Sequence, residues 1–167
     1  MNGLTTEGTE VTEDGQKMKY GAEGTEGTEK EEGLNEISHS IIGAAIEVHR
    51  ELGPGLLESV YEACLQFELC ARGHRVERQR PLPVVYKGIA IDCAYRMDLV
   101  VDEYVVVEVK TVDQLLPVHE AQLLSYLRLS SLPLGLLINF HGETVKQGIR
   151  RLRRFKTPSP SSLPSIR

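Results

Sequence analysis

Hydrophobic residues recur at helical spacing in two stretches of the first half of the chain. A first amphipathic helix, ended by "GPG" at 53–55, is predicted from Ile37, Ile41, Ala45, Val48 and Leu52. A second helix is predicted from about Leu57 to Arg72, with Gly73 as its stop and an apolar stripe at Leu57, Val60, Cys64, Phe67 and Ala71. Two helices are therefore expected before the first strand.

Apolar runs of strand length follow these helices. They are "RVERQ", "LPVVY", "IAIDCAYRMDLVV" and "YVVVEVKTV", with a turn at "YKG" between the second and the third. Pro117 opens a third helix, "PVHEAQLLSYLRLS". After it, "LGLLINF" is a buried strand and "ETVKQGIRRLRRF" is a last strand or a short helix. The order predicts a mixed α/β domain in which the crossover helix precedes a strand with a parallel neighbour.

Both ends of the chain have compositions that differ from the middle. Residues 1–33 repeat a Thr-Glu-Gly theme and hold nine acids against three lysines, which predicts a disordered acidic tail. The same composition is compatible with an upstream extension of the reading frame, in which case Met18 is the expected start of translation. Residues 157–167 are rich in Pro and Ser and predict a second disordered tail. The folded domain is therefore expected at residues 34–156, and it is close to neutral.

Several classes of protein are excluded by composition. Cys64, Cys70 and Cys93 form no CxxC pair, so neither a disulfide framework nor a zinc site is indicated. The chain has no signal-peptide pattern and no apolar run of bilayer length, so we expect a cytoplasmic protein without membrane association. The basic run "RRLRRFK" at 150–156 is either a solvated face or a phosphate-facing one.

One strand carries two charges within an apolar run. In "VVVEVKTV", Val105 to Val112, Glu108 and Lys110 point to the same side of the sheet. If the preceding hairpin turns at Glu103, Asp98 lies opposite Glu108, with Cβ atoms roughly 5 Å apart. Two carboxylates so close favour a bound Mg²⁺ or Mn²⁺ ion. The alternative is that Lys110 simply pairs with Glu108 or Asp98.

The arrangement Asp98…Glu108-Val-Lys110 resembles the D…(D/E)xK core of the PD-(D/E)XK nuclease superfamily. "GLLESVY" at 55–61 is similar to the pattern that names the GxxExxY protein family, and the resemblance extends over about residues 36–153. It implies a restriction-endonuclease-like α/β core, with a mixed central β-sheet flanked by helices.

The resemblance also implies roles for particular residues. Asp98 and Glu108 correspond to the metal-binding carboxylates, and the carbonyl of Val109 is a third oxygen ligand. Glu58 corresponds to the helix acid that completes the metal site, and Lys110 to the lysine that positions the attacking water. The implied cofactor is Mg²⁺ or Mn²⁺.

Residues on the third helix and on the strand of Asp98 extend this candidate site. Gln122 and Tyr126, which share a helix face, resemble the QxxxY element of RecB-like nucleases, which supports the active site and touches DNA. Arg96, in phase with Asp98, is either a phosphate contact or an ion-pair partner.

Three further residues have both a structural and a functional interpretation. His49, near the end of the first helix, either meets the site or is structural. His119 shares the face of Gln122 and either reaches substrate or is structural. Tyr61, three residues after Glu58, either orients that carboxylate or belongs to the core.

The sequence thus predicts a metal-dependent nuclease with DNA as its substrate. The principal alternative is a non-catalytic nucleic-acid- or protein-interaction module on the same fold, and a third is a structural domain with a plain ion pair. Only 5% of residues are aromatic, which argues against a stacking platform for single strands. A homodimer or an unknown protein partner is left open.

Overall fold

Helices and strands alternate along the part of the chain that the structure, a computed structural model, describes: residues 23–91 and 95–154. In chain order the elements are α1 (Glu23–Leu52), α2 (Glu58–Ala71), β1 (Val76–Pro81), β2 (Val84–Tyr86), β3 (Ile89–Ile91), β4 (Arg96–Val101), β5 (Val105–Lys110), α3 (Pro117–Ser130), β6 (Leu134–Asn139) and β7 (Ile149–Arg153). A 3₁₀ helix, Val145–Gly148, precedes β7, so the last predicted segment contains both a short helix and a strand. No helix among the described residues is long and apolar enough to cross a membrane.

The central sheet is mixed, as predicted. Its strand order is β1-β4-β5-β6-β7, and β5 pairs parallel with β6 while the other neighbours are antiparallel. Helix α3 makes the crossover between β5 and β6, because a parallel pair cannot be joined by a tight turn. One apolar cluster packs α1 and α2 on one face of the sheet, and a second packs α3 on the other. This confirms the PD-(D/E)XK-like fold class.

Helix α1 begins earlier than the sequence indicated. It starts at Glu23, so residues 23–33 are helical although their composition predicts disorder. Acidic side chains are favourable near the start of a helix, and Glu31 pairs with Arg153 on β7. A contact this distant in sequence is invisible to a local composition argument. The tails at 1–22 and 157–167 lie outside the described residues, and the domain boundaries remain a prediction.

The apolar stripe predicted for α2 was wrong. Its buried residues are Tyr61, Glu62, Leu65 and Leu69, whereas Leu57 and Phe67 are about three-quarters exposed. Both stripes have helical spacing, and the larger volume of Tyr61, Leu65 and Leu69 fills the space beside the sheet. A glutamate therefore lies on the buried side.

The long run "IAIDCAYRMDLVV" is divided between two sheets rather than forming one strand. Among the described residues strand β3 pairs with β2 and with no other strand, through a two-residue turn at Lys87 and Gly88, both with positive φ. Strand β4 begins at Arg96 and pairs with β1 and β5. The predicted turn at "YKG" is confirmed. The β2–β3 hairpin stands apart from the central sheet.

The predicted register of the β4–β5 hairpin is confirmed. Val101 pairs with Val105 and Leu99 with Val107, which centres the turn on Glu103.

A chain of hydrogen bonds fixes this turn to the rest of the fold. His74 contacts the Asp102 carboxylate through Nδ1 (2.6 Å) and the Ser40 hydroxyl of α1 through Nε2 (2.7 Å). Asp102 also accepts the Arg75 N–H (2.8 Å). The hairpin that carries Asp98 and Glu108 is thereby held at its closed end.

Candidate active site

The paired strands β4 and β5 separate where Asp98 and Glu108 face each other. The backbone ladder ends at Leu99 and Val107. Beyond it, the Asp98 N–H points to Glu108 Oε1 at 3.4 Å, and the Val109 N–H donates to Asp98 Oδ2 at 2.9 Å. Side-chain carboxylates thus replace the backbone acceptors of a regular antiparallel pair. The structure brings the two predicted carboxylates together.

The backbone carbonyl of Val109 is directed to the same place. The Lys110 carbonyl accepts the Phe140 N–H at 2.8 Å and so faces β6. Successive carbonyls of a strand point to opposite neighbours, so the Val109 carbonyl faces the β4 side, where Asp98 lies. It is therefore available as a third oxygen beside the carboxylates.

Electrostatic strain is concentrated on Glu108. Its side chain is 2% exposed, and burial together with the charge of Asp98 raises its pKa to about 8. Burial also raises the pKa of Asp98, against the hydrogen bond from Val109 and the charge of Lys110. Burial, more than any neighbouring charge, therefore favours the protonated form of Glu108.

Lys110 is close to Glu108 without forming a tight pair with it. Its Nζ lies 3.6 Å from Glu108 Oε2, which is longer than a hydrogen bond, and its side chain is half-buried. A well-formed buried ion pair would hold the pKa of the carboxyl low, but that of Glu108 is high. The plain ion-pair interpretation therefore explains only part of this geometry.

Glu58 faces the carboxylate pair from the start of α2. Its Oε1 accepts the N–H of Thr111, one residue beyond Lys110, at 3.1 Å. Its charge contributes to the raised pKa of Asp98. Glu58 thus joins the first turn of α2 to the end of β5.

Sequence reasoning missed two residues of this cluster, Glu62 and Gln79. Glu62 is buried, and burial together with the charges of Asp98 and Glu58 raises its pKa, opposed by a hydrogen bond from Gln79. The Gln79 amide donates to Glu62 Oε2 (2.8 Å) and reaches Asp98 Oδ1 at 3.4 Å.

Only part of this arrangement had a signal in the sequence. Glu62 follows Glu58 by four residues and so shares its helix face, which was a usable signal. Gln79 gave none, because its position depends on a left-handed backbone (φ 55°) in the middle of β1.

Gln122 and Tyr126 reach the site from α3. The Gln122 amide donates to the Tyr126 hydroxyl at 2.7 Å, so the predicted shared face is real. Burial raises the pKa of the Tyr126 phenol, and the charges of Glu108 and Asp98 add to the shift. The hydroxyl therefore lies within electrostatic reach of the carboxylate pair.

Arg96 is exposed at the start of β4, beside the cluster. Its guanidinium donates to the Gln79 carbonyl at 3.2 Å, so it supports the distorted part of β1. The exposed position of Arg96 is compatible with the predicted contact with phosphate, which stays a prediction.

The remaining three candidates are engaged elsewhere. His49 Nε2 bonds the Gly142 carbonyl (2.9 Å), and His119 Nδ1 accepts the Leu116 N–H (3.0 Å) in the first turn of α3. The Tyr61 hydroxyl donates to the Gly53 carbonyl (2.6 Å) while its ring stacks on Phe140. Their contacts are those of structural residues, and Tyr61 fixes the corner from which α2 begins.

The set of oxygen donors contains few groups, but it fits a hard divalent cation. Among the described residues, no group of three or more His, Cys, Asp or Glu side chains is arranged to hold a metal ion. Mg²⁺ is ordinarily held by one or two carboxylates, with waters and substrate phosphates completing its shell. Asp98, Glu108 and the Val109 carbonyl meet that lower requirement, and a bound cation would stabilise the ionised form of both carboxylates against the effect of burial.

The candidate site combines two strand carboxylates, a lysine two residues beyond the second and a helix glutamate, all carried by a mixed sheet and its flanking helix. A family model for the PD-(D/E)XK nuclease superfamily matches residues 35–152, and the chain belongs to that superfamily. Membership indicates nuclease activity on a nucleic acid. Nucleases of this superfamily typically use divalent metal ions. No curated protein and no solved structure matches the chain.

Proposed function

We propose that the protein is a Mg²⁺- or Mn²⁺-dependent nuclease that hydrolyses phosphodiester bonds, with DNA as its substrate. The observation that carries the proposal is the meeting of two strand carboxylates, Asp98 and Glu108, bridged by the N–H groups of Asp98 and Val109, with Lys110 beside them. A plain ion pair accounts for the contact of Lys110 with Glu108 and leaves the close approach of Asp98 to Glu108 unexplained. A cation held by both carboxylates explains that approach.

Each residue of the cluster has a role in this proposal. Asp98, Glu108 and the Val109 carbonyl would hold the ion, which when bound supplies an activated water and neutralises phosphate charge. Lys110 holds its ammonium where negative charge develops on the phosphate and orients the attacking water. Glu58 fixes the end of β5 and adds a carboxylate at the edge of the site.

The residues on α3 and β4 are proposed to act on the substrate strand. Gln122 and Tyr126 would support the site and contact the strand near the scissile phosphate. Arg96, exposed beside the cluster, would contact a neighbouring phosphate.

The non-catalytic module is the alternative, and Lys110 separates it from the enzyme. In an enzyme, Lys110→Ala should lower hydrolysis by about 10²–10³-fold while folding and nucleic-acid binding persist. In a module, the same change removes a partner of a buried carboxylate and loosens the domain. Lys146→Ala, an exposed lysine, is the matched control.

The experiment incubates the three proteins with single- and double-stranded DNA and RNA plus Mn²⁺ and measures cleavage on a gel. In parallel, Mg²⁺ should raise the melting temperature of the wild type but not that of Asp98→Asn. A folded wild type that binds metal and cuts none of these substrates would contradict the proposal. If Mg²⁺ raised the melting temperature of Asp98→Asn as much as that of the wild type, the ion would bind at another site.

We infer the finer classification as well. The "GLLESVY" segment at 55–61 supports membership of the GxxExxY family. The composition supports a cytoplasmic protein, and the near-neutral domain favours a homodimer or another partner that adds affinity for the polyanion.

A further inference from the structure

A surface groove lies between α3 and the residues that lead into β4. It has a volume of about 430 Å³, within the range of roughly 300–1,000 Å³ of small-molecule sites. Its walls include Val84, Tyr95, Val118, Tyr126 and Leu129. Tyr95 and Val118 are more than half exposed, so the groove is open at the surface.

The groove lies next to the candidate active site. Gln122 and Tyr126 line it, and Tyr126 packs in the same cluster as Met97 and Val106, which are close in sequence to Asp98 and Glu108. The ring of Tyr95 meets the ring of Tyr126 edge to face, with centroids 6.1 Å apart. The Tyr126 ring is 5% exposed and belongs to the core, so the half-exposed ring of Tyr95 is the aromatic face that the groove offers.

The chemistry of the lining suits a flat aromatic ligand with polar edges. Tyrosine rings and aliphatic side chains form the walls, and the Gln122 amide and the Ser125 hydroxyl provide hydrogen-bonding groups. Arg128 is the charged residue among the described ones that line the groove. A phosphate backbone would call for several cations or N–H donors, whereas a nucleobase stacks on an aromatic side chain.

We propose that the groove binds an unpaired nucleobase next to the scissile phosphate, so that the preferred substrate is single-stranded or locally unpaired. This rests on the proposed nuclease function. A base in a duplex must first leave its stack and its partner, which disfavours paired DNA here. The low aromatic content had argued against a stacking platform, but the fold places the exposed ring of Tyr95 at this groove, packed edge to face on the buried ring of Tyr126.

The test measures base binding separately from cleavage. A single strand that carries 2-aminopurine, alone or annealed to its complement, is titrated with the full-length protein in EDTA. Stacking in the groove should quench the fluorescence of the single strand. Tyr95→Ala should weaken that binding by about tenfold, whereas Tyr104→Ala, an exposed tyrosine at the β4–β5 turn, should not.

Cleavage of the same two substrates with Mn²⁺ then separates this inference from the proposed function. Quenching without cleavage would contradict the nuclease and leave the groove intact. Cleavage with equal rates for wild type and Tyr95→Ala on the single strand would contradict the groove and leave the nuclease intact. The groove proposal would also be overturned if the single strand did not bind, or if the duplex bound equally well. A change of oligomeric state in Tyr95→Ala, measured by light scattering, would overturn it too, because the groove would then be an interface between copies.

Discussion

The electrostatic cost of the candidate site, the burial of a carboxyl group beside a second one, falls mainly on Glu108. Its carboxyl is buried beside Asp98, with an ammonium nearby that only partly offsets the burial. Natural proteins remove such a cost when function does not need it, since a well-packed apolar pair is often as stable. The cost therefore points to a function that requires both carboxylates.

The pH dependence of stability should reveal this residue. Between about pH 4.5 and 8, folded Glu108 holds a proton that the unfolded chain releases, so the free energy of unfolding of the metal-free protein falls as pH rises. The loss is a few kcal/mol at most, at ~1.4 kcal/mol per unit of pKa difference. Urea unfolding in EDTA measures it, and Glu108→Gln should flatten the curve. Parallel curves for that variant and for Glu143→Gln, an exposed control, would show that Glu108 does not titrate in this window.

Gln79 should matter for stability as well as for the site. Gln79→Ala removes the donor to the buried Glu62 carboxyl, which should cost about 1–3 kcal/mol. Gln66→Ala should cost much less, because the Gln66 amide lies 3.5 Å from the Val76 carbonyl, at the limit of a hydrogen bond. Chemical denaturation compares the two. Equal effects would mean that the contact with Glu62 contributes nothing specific.

At the scale of elements, the corner between α1 and α2 aims the acidic face of α2 at the sheet. Gly53 has a left-handed backbone (φ 67°) that ends α1, and the Tyr61 hydroxyl bonds its carbonyl. Glu58 and Glu62 then follow on one side of α2, facing Thr111 and Gln79. The "GPG" segment is thus a structural part of the site.

The N-terminal part of α1 should contribute to stability in two unequal portions. Deletion of residues 1–22 should leave the melting temperature unchanged, because half of these residues are Thr, Glu or Gly and few are large and apolar. Deletion of residues 1–33 should lower it, because it also removes Glu31, the partner of Arg153. Differential scanning calorimetry on both truncations decides this. No difference between them would restore the domain boundary to residue 34.

At the scale of the molecule, local sequence patterns predicted the positions of the site residues better than they predicted which helix face is buried. The pairing of Asp98 with Glu108 followed from a period of two and a short turn, both of which are local properties. The buried face of α2 did not, because two stripes of similar periodicity compete and only the sheet decides between them. The place of Gln79 depends on a backbone conformation that its residue type does not indicate.

The hairpin that carries the carboxylates has a consequence for the order of folding. Its strands are joined by a short loop that costs little entropy to close, whereas the β5–β6 pair must wait for α3. We expect Asp98 and Glu108 to meet early, while water still solvates them, and the helices to cover them later. Mutual repulsion would then slow the nucleation of the sheet, so Asp98→Asn should refold faster than the wild type at neutral pH in a stopped-flow experiment. Unchanged refolding with slower unfolding would place the meeting of the two carboxylates after the transition state.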